Sequence, residues 1–437
     1  MLKSLLTKNK VAKNAGWLIG EKIVQMILSL FVGTLTVRYL GPSNYGLINY
    51  ASSLISFFMS LCTLGINSVI VKELLDHPDK QGEILGSSIG LRLISSSCSV
   101  ILVVAVSFFL DYGQWETIVV VALSSLSLVF HSFDSINRWF QSQYNSKITA
   151  LATLIAYIAI SLYKIVLLVL NKSVMWFAFS ASVEYIALAA VLLIAYRKCK
   201  GHKFSFSWST GKSILSKSYH YILSGLMVSI YGHTDKLMLK HMLTDEQVGF
   251  YSISTALCSM WTFVLSAIID SFYPEIVQAF NKDYDLFKKR NRQLYAIVFY
   301  VSTFVSLCFV VLGRFVICLL YGEAYLPATL PLKIVTWYTA FSYLGVARSP
   351  WMVCHNKQKY IKVMYIPAVI INIVLNYLLI PRIGAAGAAL ASLVTQIFTS
   401  ILLPLLIKDL RPNAILMLEA ITLKDFKDIF VKKKTLH

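Results

Sequence analysis

The stretch GSSIGLRLISSSCSVILVVAVSFFL at residues 86–110 contains one charged side chain, Arg92, among apolar and small residues. An α-helix rises about 1.5 Å per residue, so a run of this length crosses the roughly 30 Å hydrocarbon core of a bilayer. We therefore predict a transmembrane helix here. The other stretches of similar length and apolar character are 15–39, 47–71, 115–137, 148–170, 173–195, 219–241, 248–272, 295–319, 328–348, 360–381 and 385–407.

The composition of the whole chain agrees with this prediction. Of its 437 residues, 57% are hydrophobic and 14% are charged, and the mean hydropathy is +0.68. A soluble chain carries about 25% charged residues. We therefore predict an all-α polytopic membrane protein with about twelve transmembrane helices. The net charge of +19 is typical of nucleic-acid binding in soluble proteins, but cytoplasmic loops of membrane proteins are also rich in Lys and Arg. We expect no nucleic-acid partner.

Basic residues alternate between the predicted loops. If the N-terminus is cytoplasmic, the inside segments contain most of the 40 Lys and Arg residues. An extra or missing span would destroy this alternation, so we predict that both termini lie in the cytoplasm. The few basic residues in outside segments are Arg38, Lys172, Lys240, Lys333 and Arg382.

The longest predicted polar loop, YRKCKGHKFSFSWSTGKSILSK at 196–217, separates two sets of six spans. Leu40 and Gly46 after the first span recur as Leu243 and Gly249 after the seventh. Each set has an even number of spans, so both have the same orientation, as in transporters built from parallel repeats. The predicted domains are an N-terminal six-helix lobe at 1–205, a C-terminal six-helix lobe at 206–408 and a basic amphipathic cytoplasmic tail at 409–437.

Several cations lie inside predicted spans, where a charged group costs about 3 kcal/mol on insertion scales. Such groups usually face a bundle interior or a wet cavity. We interpret Lys22, Arg92, Lys164 and Lys236 as a cationic cavity that binds an anionic substrate. Phosphate or pyrophosphate fits the point charge of lysine and the fork of arginine.

A structural interpretation of the same residues stays open, because acids lie near some of them. Lys22 has Glu21 and Glu184 as candidate partners, and Lys236 follows an acid directly in sequence. Arg92 and Lys164 have no acid nearby in sequence. The residues that could serve in ion pairing or in ion coupling are Glu21, Asp134, Arg138, Glu184 and Asp235.

No catalytic constellation is visible in the sequence. There is no P-loop, GxSxG, HExxH or CxxC pattern, and each of these patterns is tied to a specific chemistry. We therefore expect no catalytic residue, no metal site and no cofactor, and we do not expect an enzyme.

Five segments resemble one known family. VRYLGPSNYG at 37–46 is similar to the "aRxLGpxxYG" segment that follows the first span of polysaccharide-repeat flippases. Segments at 64–73, 137–147, 234–251 and 376–389 agree in the same order, and the resemblance covers residues 12–408. The chain thus resembles the polysaccharide-synthesis branch of the MOP (multidrug, oligosaccharidyl-lipid, polysaccharide) superfamily, which includes Wzx-type flippases.

The resemblance implies a MATE-like fold of two six-helix lobes around a cavity that opens alternately to each side. The implied substrate is an undecaprenyl-pyrophosphate-linked oligosaccharide repeat unit. It would be flipped across the cytoplasmic membrane for surface polysaccharide such as O-antigen or capsule. A gradient of H⁺ or Na⁺ would supply the energy. Membrane lipids, a polysaccharide polymerase and chain-length proteins are the implied partners. Lys22 and Arg92 best suit the cationic residues of the family's first helices.

Other functions stay open at this point. The related lipid II flippases have an extra pair of spans that this chain lacks, and the basic bias disfavours export of cationic drugs. An ion-coupled MATE-like exporter of small solutes is one alternative. A membrane transferase or polymerase of the same pathway is another, although the short outside loops weigh against it.

Overall fold

The computed structural model describes residues 16–17, 20–143 and 145–422, and every regular element within these ranges is helical. Nine helical segments in this part of the chain are long and apolar enough to cross a membrane. This confirms the prediction of an all-α, multi-pass membrane protein.

The difference between nine segments and about twelve predicted helices has a simple cause. The segment Gly20–Thr63 has 44 residues, about twice the length needed for one crossing. It is interrupted at Gly41, whose φ of 70° and ψ of 172° are not helical, and so it contains the first two predicted spans. The helices Trp208–Met242 and Thr329–Ala347 occupy two further predicted spans. The prediction of about twelve membrane helices is confirmed.

The chain divides into two compact units, 1–233 and 234–437. In the first unit, a π-helical turn at Ser29–Gly33 precedes α1. The helices that begin in this unit are α1 (Thr34–Thr63), α2 (Ile70–Asp76), α3 (Gln81–Leu110), α4 (Trp115–Ser125), α5 (Ser127–His131), α6 (Asp134–Ser142), α7 (Ser146–Val169), α8 (Val174–Lys198) and α9 (Trp208–Met242).

An apolar core holds one end of the first unit together. Ile66, Leu85 and Ile136 are fully buried there and come from three different parts of the chain. Trp139 packs edge-on against Tyr196 with ring centroids 4.8 Å apart. The Trp139 indole N–H also donates to Gln81 Oε1 at 2.8 Å, so the one polar group of this buried side chain has a hydrogen-bond partner.

The second unit begins inside α9. Its core is built around Tyr295, Leu344 and Met417, all fully buried. A second π-helical turn, Phe398–Leu402, follows α16. The helices that begin in this unit are α10 (Asp245–Ser259), α11 (Thr262–Lys282), α12 (Tyr284–Tyr321), α13 (Thr329–Ala347), α14 (Ser349–Cys354), α15 (Tyr360–Ile383), α16 (Ala385–Ile397), α17 (Leu403–Leu406) and α18 (Arg411–Ile421).

Two segments differ from the sequence-based expectation. The predicted loop at 273–294 is helical except around Asp283, whose Oδ1 accepts from the Asp285 amide at 2.9 Å and caps α12. The beginning of the predicted tail forms α18, which packs into the apolar core of the second unit through Met417. The compact units divide at 233/234, inside α9, whereas the predicted lobes divide at 205/206. The six-helix lobes stay a prediction, and tail residues 423–437 lie outside the described residues.

Gly41→Ala is expected to lower the free energy of unfolding by about 1–3 kcal/mol, because the backbone conformation at this position is essentially open to glycine alone. The cause is the backbone, since a Cβ at Gly41 would meet nothing within 4 Å. Thermal unfolding of the purified protein in detergent measures the effect. Gly20→Ala is the matched control, because Gly20 also has open space and does not have a positive φ. Equal stability of the two variants would contradict the prediction.

Candidate functional site

Arg92 is fully buried in the first unit, and both of its terminal nitrogens contact protein atoms. Its guanidinium nitrogens make four close polar contacts: to Asn67 Oδ1 at 3.2 Å, Ser135 Oγ at 3.0 Å, His131 Nδ1 at 2.9 Å and His131 O at 2.8 Å. None of these acceptors is a carboxylate. In this conformation Arg92 therefore joins α3 to the interruption between α5 and α6 and presents no free face to a ligand.

His131 is a satisfied histidine in this cluster. Because a guanidinium donates only, the contact with Arg92 requires His131 Nδ1 to accept, which places the imidazole proton on Nε2. The ring also packs edge-on against Tyr185 with centroids 5.1 Å apart. A neutral imidazole fits beside the buried cation, since a protonated one would repel it.

Asp134 and Arg138 form the ion pair that their spacing predicts. The closest N–O distance is 3.6 Å, and the side chains lie one turn apart on α6. Asp134 also accepts from the Asn137 amide at 3.1 Å. The Arg138 side chain is 35% exposed, so this pair lies at the edge of the buried cluster around Arg92.

Lys22, Lys164 and Glu184 form a second group in the first unit. Lys22 Nζ lies 3.7 Å from Glu21 Oε1 and donates to Gln25 Oε1 at 3.2 Å. Its side chain is 72% exposed, whereas Glu21 is buried. Glu184 interacts electrostatically with both Lys164 and Lys22. Two of the predicted cations thus interact electrostatically with the same carboxylate.

Asp235 is the centre of a buried polar cluster in the second unit. Its carboxylate accepts from Asn376 Nδ2 at 2.7 Å and from the hydroxyl groups of Tyr251 and Ser392. Asn376 Nδ2 also donates to Asn372 Oδ1 at 3.0 Å. Four helices, α9, α10, α15 and α16, therefore contribute to the environment of one acid.

Lys236 follows Asp235 on α9 and interacts with it electrostatically. It is half-buried and belongs to the second unit, whereas Lys22, Arg92 and Lys164 belong to the first. Lys240 was predicted to lie in an outside segment. It is buried and pairs with Asp245 at 2.7 Å.

Sequence reasoning did not single out the buried charged residues Arg348 and Asp111. Arg348 is the last residue of the predicted span 328–348, and it is buried and donates to Asn413 Oδ1 at 2.9 Å and to the Ser400 carbonyl. Asp111 is fully buried and accepts from Tyr50 and Ser107 hydroxyls, each at 2.9 Å. Both follow the end of an apolar helix, where a charged residue normally indicates solvent, and most of their partners are distant in sequence.

Within the described ranges, no group of three or more His, Cys, Asp or Glu side chains is placed to hold a metal ion. The Asp235 cluster offers one carboxylate with amide and hydroxyl oxygens around it, which are groups that can exchange a proton or a small hard cation.

The fold and these embedded groups define a multi-pass helical membrane protein with polar clusters in both units. Residues 11–280 match the model of the family described as "Polysaccharide biosynthesis protein", which covers more than half of the chain. The chain belongs to this family. It is also 20% identical over 404 residues to the capsular polysaccharide biosynthesis protein CapF of Staphylococcus aureus, covering 88% of this chain and 96% of CapF.

Solved structures share the fold at low sequence identity. An inward-facing multidrug resistance MATE family transporter of the MOP superfamily has a TM-score of 0.69 at 12% identity, covering 91% of this chain and 96% of that one. The lipid II flippase MurJ in an inward closed conformation has a TM-score of 0.68 at 16% identity, covering 96% and 93%. These comparisons confirm the predicted MATE-like fold and the resemblance to the polysaccharide branch of the superfamily.

Arg92→Gln is expected to lower the free energy of unfolding by about 3 kcal/mol or more, because it unpairs a buried charged network. Arg138→Gln is the matched control and should cost about 1 kcal/mol or less, since its ion pair is partly exposed. Chemical unfolding in detergent measures both. An equally small loss for the two variants would show that Arg92 does not hold the α5–α6 interruption.

Proposed function

We propose that this protein is a flippase of the MOP type that moves undecaprenyl-pyrophosphate-linked oligosaccharide repeat units from the inner to the outer leaflet. The observation that carries the proposal is membership of the polysaccharide biosynthesis family in a chain with the fold of MOP transporters. The fold similarity to MurJ, a flippase of lipid II, supports the same class of substrate.

The pyrophosphate group would bind at the cations around Glu184. Lys22 is exposed and only weakly held, so its charge can move to an anionic ligand. Lys164 is half-buried and interacts electrostatically with Glu184. Lys236 belongs to the second unit and is not part of this group. Arg92 is proposed to position helices rather than to touch substrate, because it is fully buried and both terminal nitrogens already contact protein atoms.

Asp235 is proposed as the residue that takes the coupling ion, H⁺ or Na⁺. A carboxylate buried among three polar donors responds strongly to a change in its own charge, because those donors must rearrange. Such a rearrangement would involve the helices α9, α10, α15 and α16. This gives a physical route from ion binding to a change in helix packing.

The orientation follows from the basic loops and belongs to the same proposal. Both termini would face the cytoplasm, and the protein would lie in the cytoplasmic membrane. A polysaccharide polymerase and chain-length proteins would receive the flipped unit on the other side. The undecaprenyl chain would stay among membrane lipids while the head group crosses.

Transport of a defined lipid-linked oligosaccharide tests the function. In proteoliposomes, Lys22→Gln and Lys164→Gln should each lower the flipping rate at least about tenfold, because a charge-assisted contact contributes about 1.5–3 kcal/mol. Lys172→Gln removes one positive charge from a predicted outside loop and should leave the rate unchanged. Complementation of a flippase-null strain should follow the same order.

The same assay separates the alternatives. Export of small solutes without any need for a prenyl-linked donor would favour an ion-coupled exporter. Formation of new sugar linkages without translocation would favour a transferase or polymerase. Wild-type flipping rates in both lysine variants would overturn the proposed cation site while leaving the flippase itself in place.

Asp235→Asn should abolish the response of transport to an imposed H⁺ or Na⁺ gradient, because an amide cannot change its charge. The measurement is the ratio of flipping rates with and without each gradient, which corrects for loss of folded protein. Asp270→Asn is the matched control, since Asp270 is exposed on α11. A full gradient response in Asp235→Asn would exclude this residue as the coupling site.

A further inference from the structure

The connection between α8 and α9 lies in a groove on α3 made by glycines. We call residues 197–212 the linker strap. Gly82, Gly86 and Gly90 are spaced by four residues and so share one face of α3. A Cβ on Gly82 would lie 2.3 Å from the Lys203 carbonyl oxygen, and one on Gly86 would lie 2.3 Å from that of Ser205. The groove therefore exists only because these positions carry no side chain.

Hydrogen bonds hold the backbone of the strap in this groove. The Ser205 amide donates to the Gly82 carbonyl at 3.3 Å. The Ser207 amide donates to Ser87 Oγ at 3.0 Å, and Ser87 Oγ lies 3.1 Å from the Ser207 carbonyl. The Thr210 hydroxyl donates to the Glu83 carboxylate. The strap is thus attached to α3 along its length.

Aromatic contacts fix the beginning of the strap. Tyr196 at the end of α8 donates its hydroxyl to the His202 carbonyl at 2.7 Å. The Tyr196 ring stacks on Phe204 with centroids 4.8 Å apart, and Gly201 packs directly on the Tyr196 ring. The strap is therefore a defined surface and not only a tether between helices.

The outward side of the strap is basic and aromatic. No Asp or Glu occurs between residues 197 and 212. Phe204, Phe206 and Trp208 remain 41%, 53% and 65% exposed although they lie beside polar backbone. The exposed basic residues of the strap are Arg197, Lys198, Lys200, Lys203 and Lys212.

We propose that the linker strap is a docking surface for anionic phospholipid head groups. Lysines near an anionic leaflet are attracted to it, and partly exposed aromatic rings settle at the boundary between head groups and acyl chains. Because the glycine groove already orders the backbone, little conformational freedom is lost when lipid binds. The assignment to the inner leaflet rests on the cytoplasmic orientation given under the proposed function, whereas lipid binding itself does not.

Fluorescence quenching in nanodiscs tests this surface with the full chain. The contribution of Trp208 is obtained by subtracting the tryptophan emission of the Trp208→Phe variant from that of the wild type. At equal mole fraction in phosphatidylcholine nanodiscs, brominated phosphatidylglycerol should quench this signal at least about twofold more than brominated phosphatidylcholine, because basic side chains concentrate anionic lipid. The triple variant Lys198→Gln, Lys200→Gln, Lys203→Gln should lose the difference.

Matched variants separate the strap from general charge. Lys72→Gln, Lys80→Gln and Lys282→Gln together remove the same charge from exposed positions elsewhere and should keep the difference. Gly86→Ala should reduce it by displacing the strap, whereas Gly20→Ala should not. Equal quenching by the two lipids in the wild type, or an unchanged difference in the strap triple variant, would overturn the proposal.

A substrate site would give a different result. In that case undecaprenyl pyrophosphate would displace the brominated lipid from Trp208, and the two brominated lipids would quench the Trp208 signal equally. This result would assign the strap to the substrate and exclude the phospholipid surface. The lipid preference is measured without transport, so failure of the flippase proposal would leave this test unaffected.

Discussion

The hydrocarbon core contains no water, so a polar group buried there must find its partner within the protein. This constraint accounts for the best-defined interactions in both units. Arg92 has oxygen and nitrogen acceptors around its guanidinium, and Asp235 has three donors around its carboxylate. Each buried charge therefore fixes several helices at once. Apolar packing holds the helices together, but these polar groups determine which helix faces are in contact.

The buried arginines also act where helices are interrupted. Arg92 donates to the His131 carbonyl at the end of α5, and Arg348 donates to the Ser400 carbonyl inside the π-helical turn Phe398–Leu402. An interruption leaves carbonyl groups without their usual intrahelical donors, which would be costly in an apolar environment. A long cationic side chain with several donors satisfies them. In each unit, one buried arginine thus donates to a carbonyl at a helix interruption.

The local part of this architecture could be predicted from the sequence, and the long-range part could not. Apolar runs of sufficient length predicted the spans, and the i,i+4 spacing predicted the Asp134–Arg138 pair. The buried role of Arg348 could not be predicted, because its acceptor Asn413 is 65 residues away in sequence. The strap was missed for the same reason, since Ser87 meets Ser207 across a separation of 120 residues. Glycine spacing on α3 is visible in the sequence, but it does not reveal which segment fills the groove.

The cations differ in how easily their charge can move to a bound anion. This difference separates Arg92, as a structural residue, from Lys22, as a candidate binding residue. Moving Arg92 toward a ligand would leave buried acceptors unpaired, which costs more than a new contact returns. Lys22 is exposed and lies 3.7 Å from Glu21, and such pairs contribute about 1 kcal/mol or less. Its charge is therefore available to an anion at little cost. Glu184 interacts with both Lys22 and Lys164, so under the proposed function an arriving pyrophosphate would have to compete with this carboxylate. Such competition would keep binding weak enough for the proposed head group to be released.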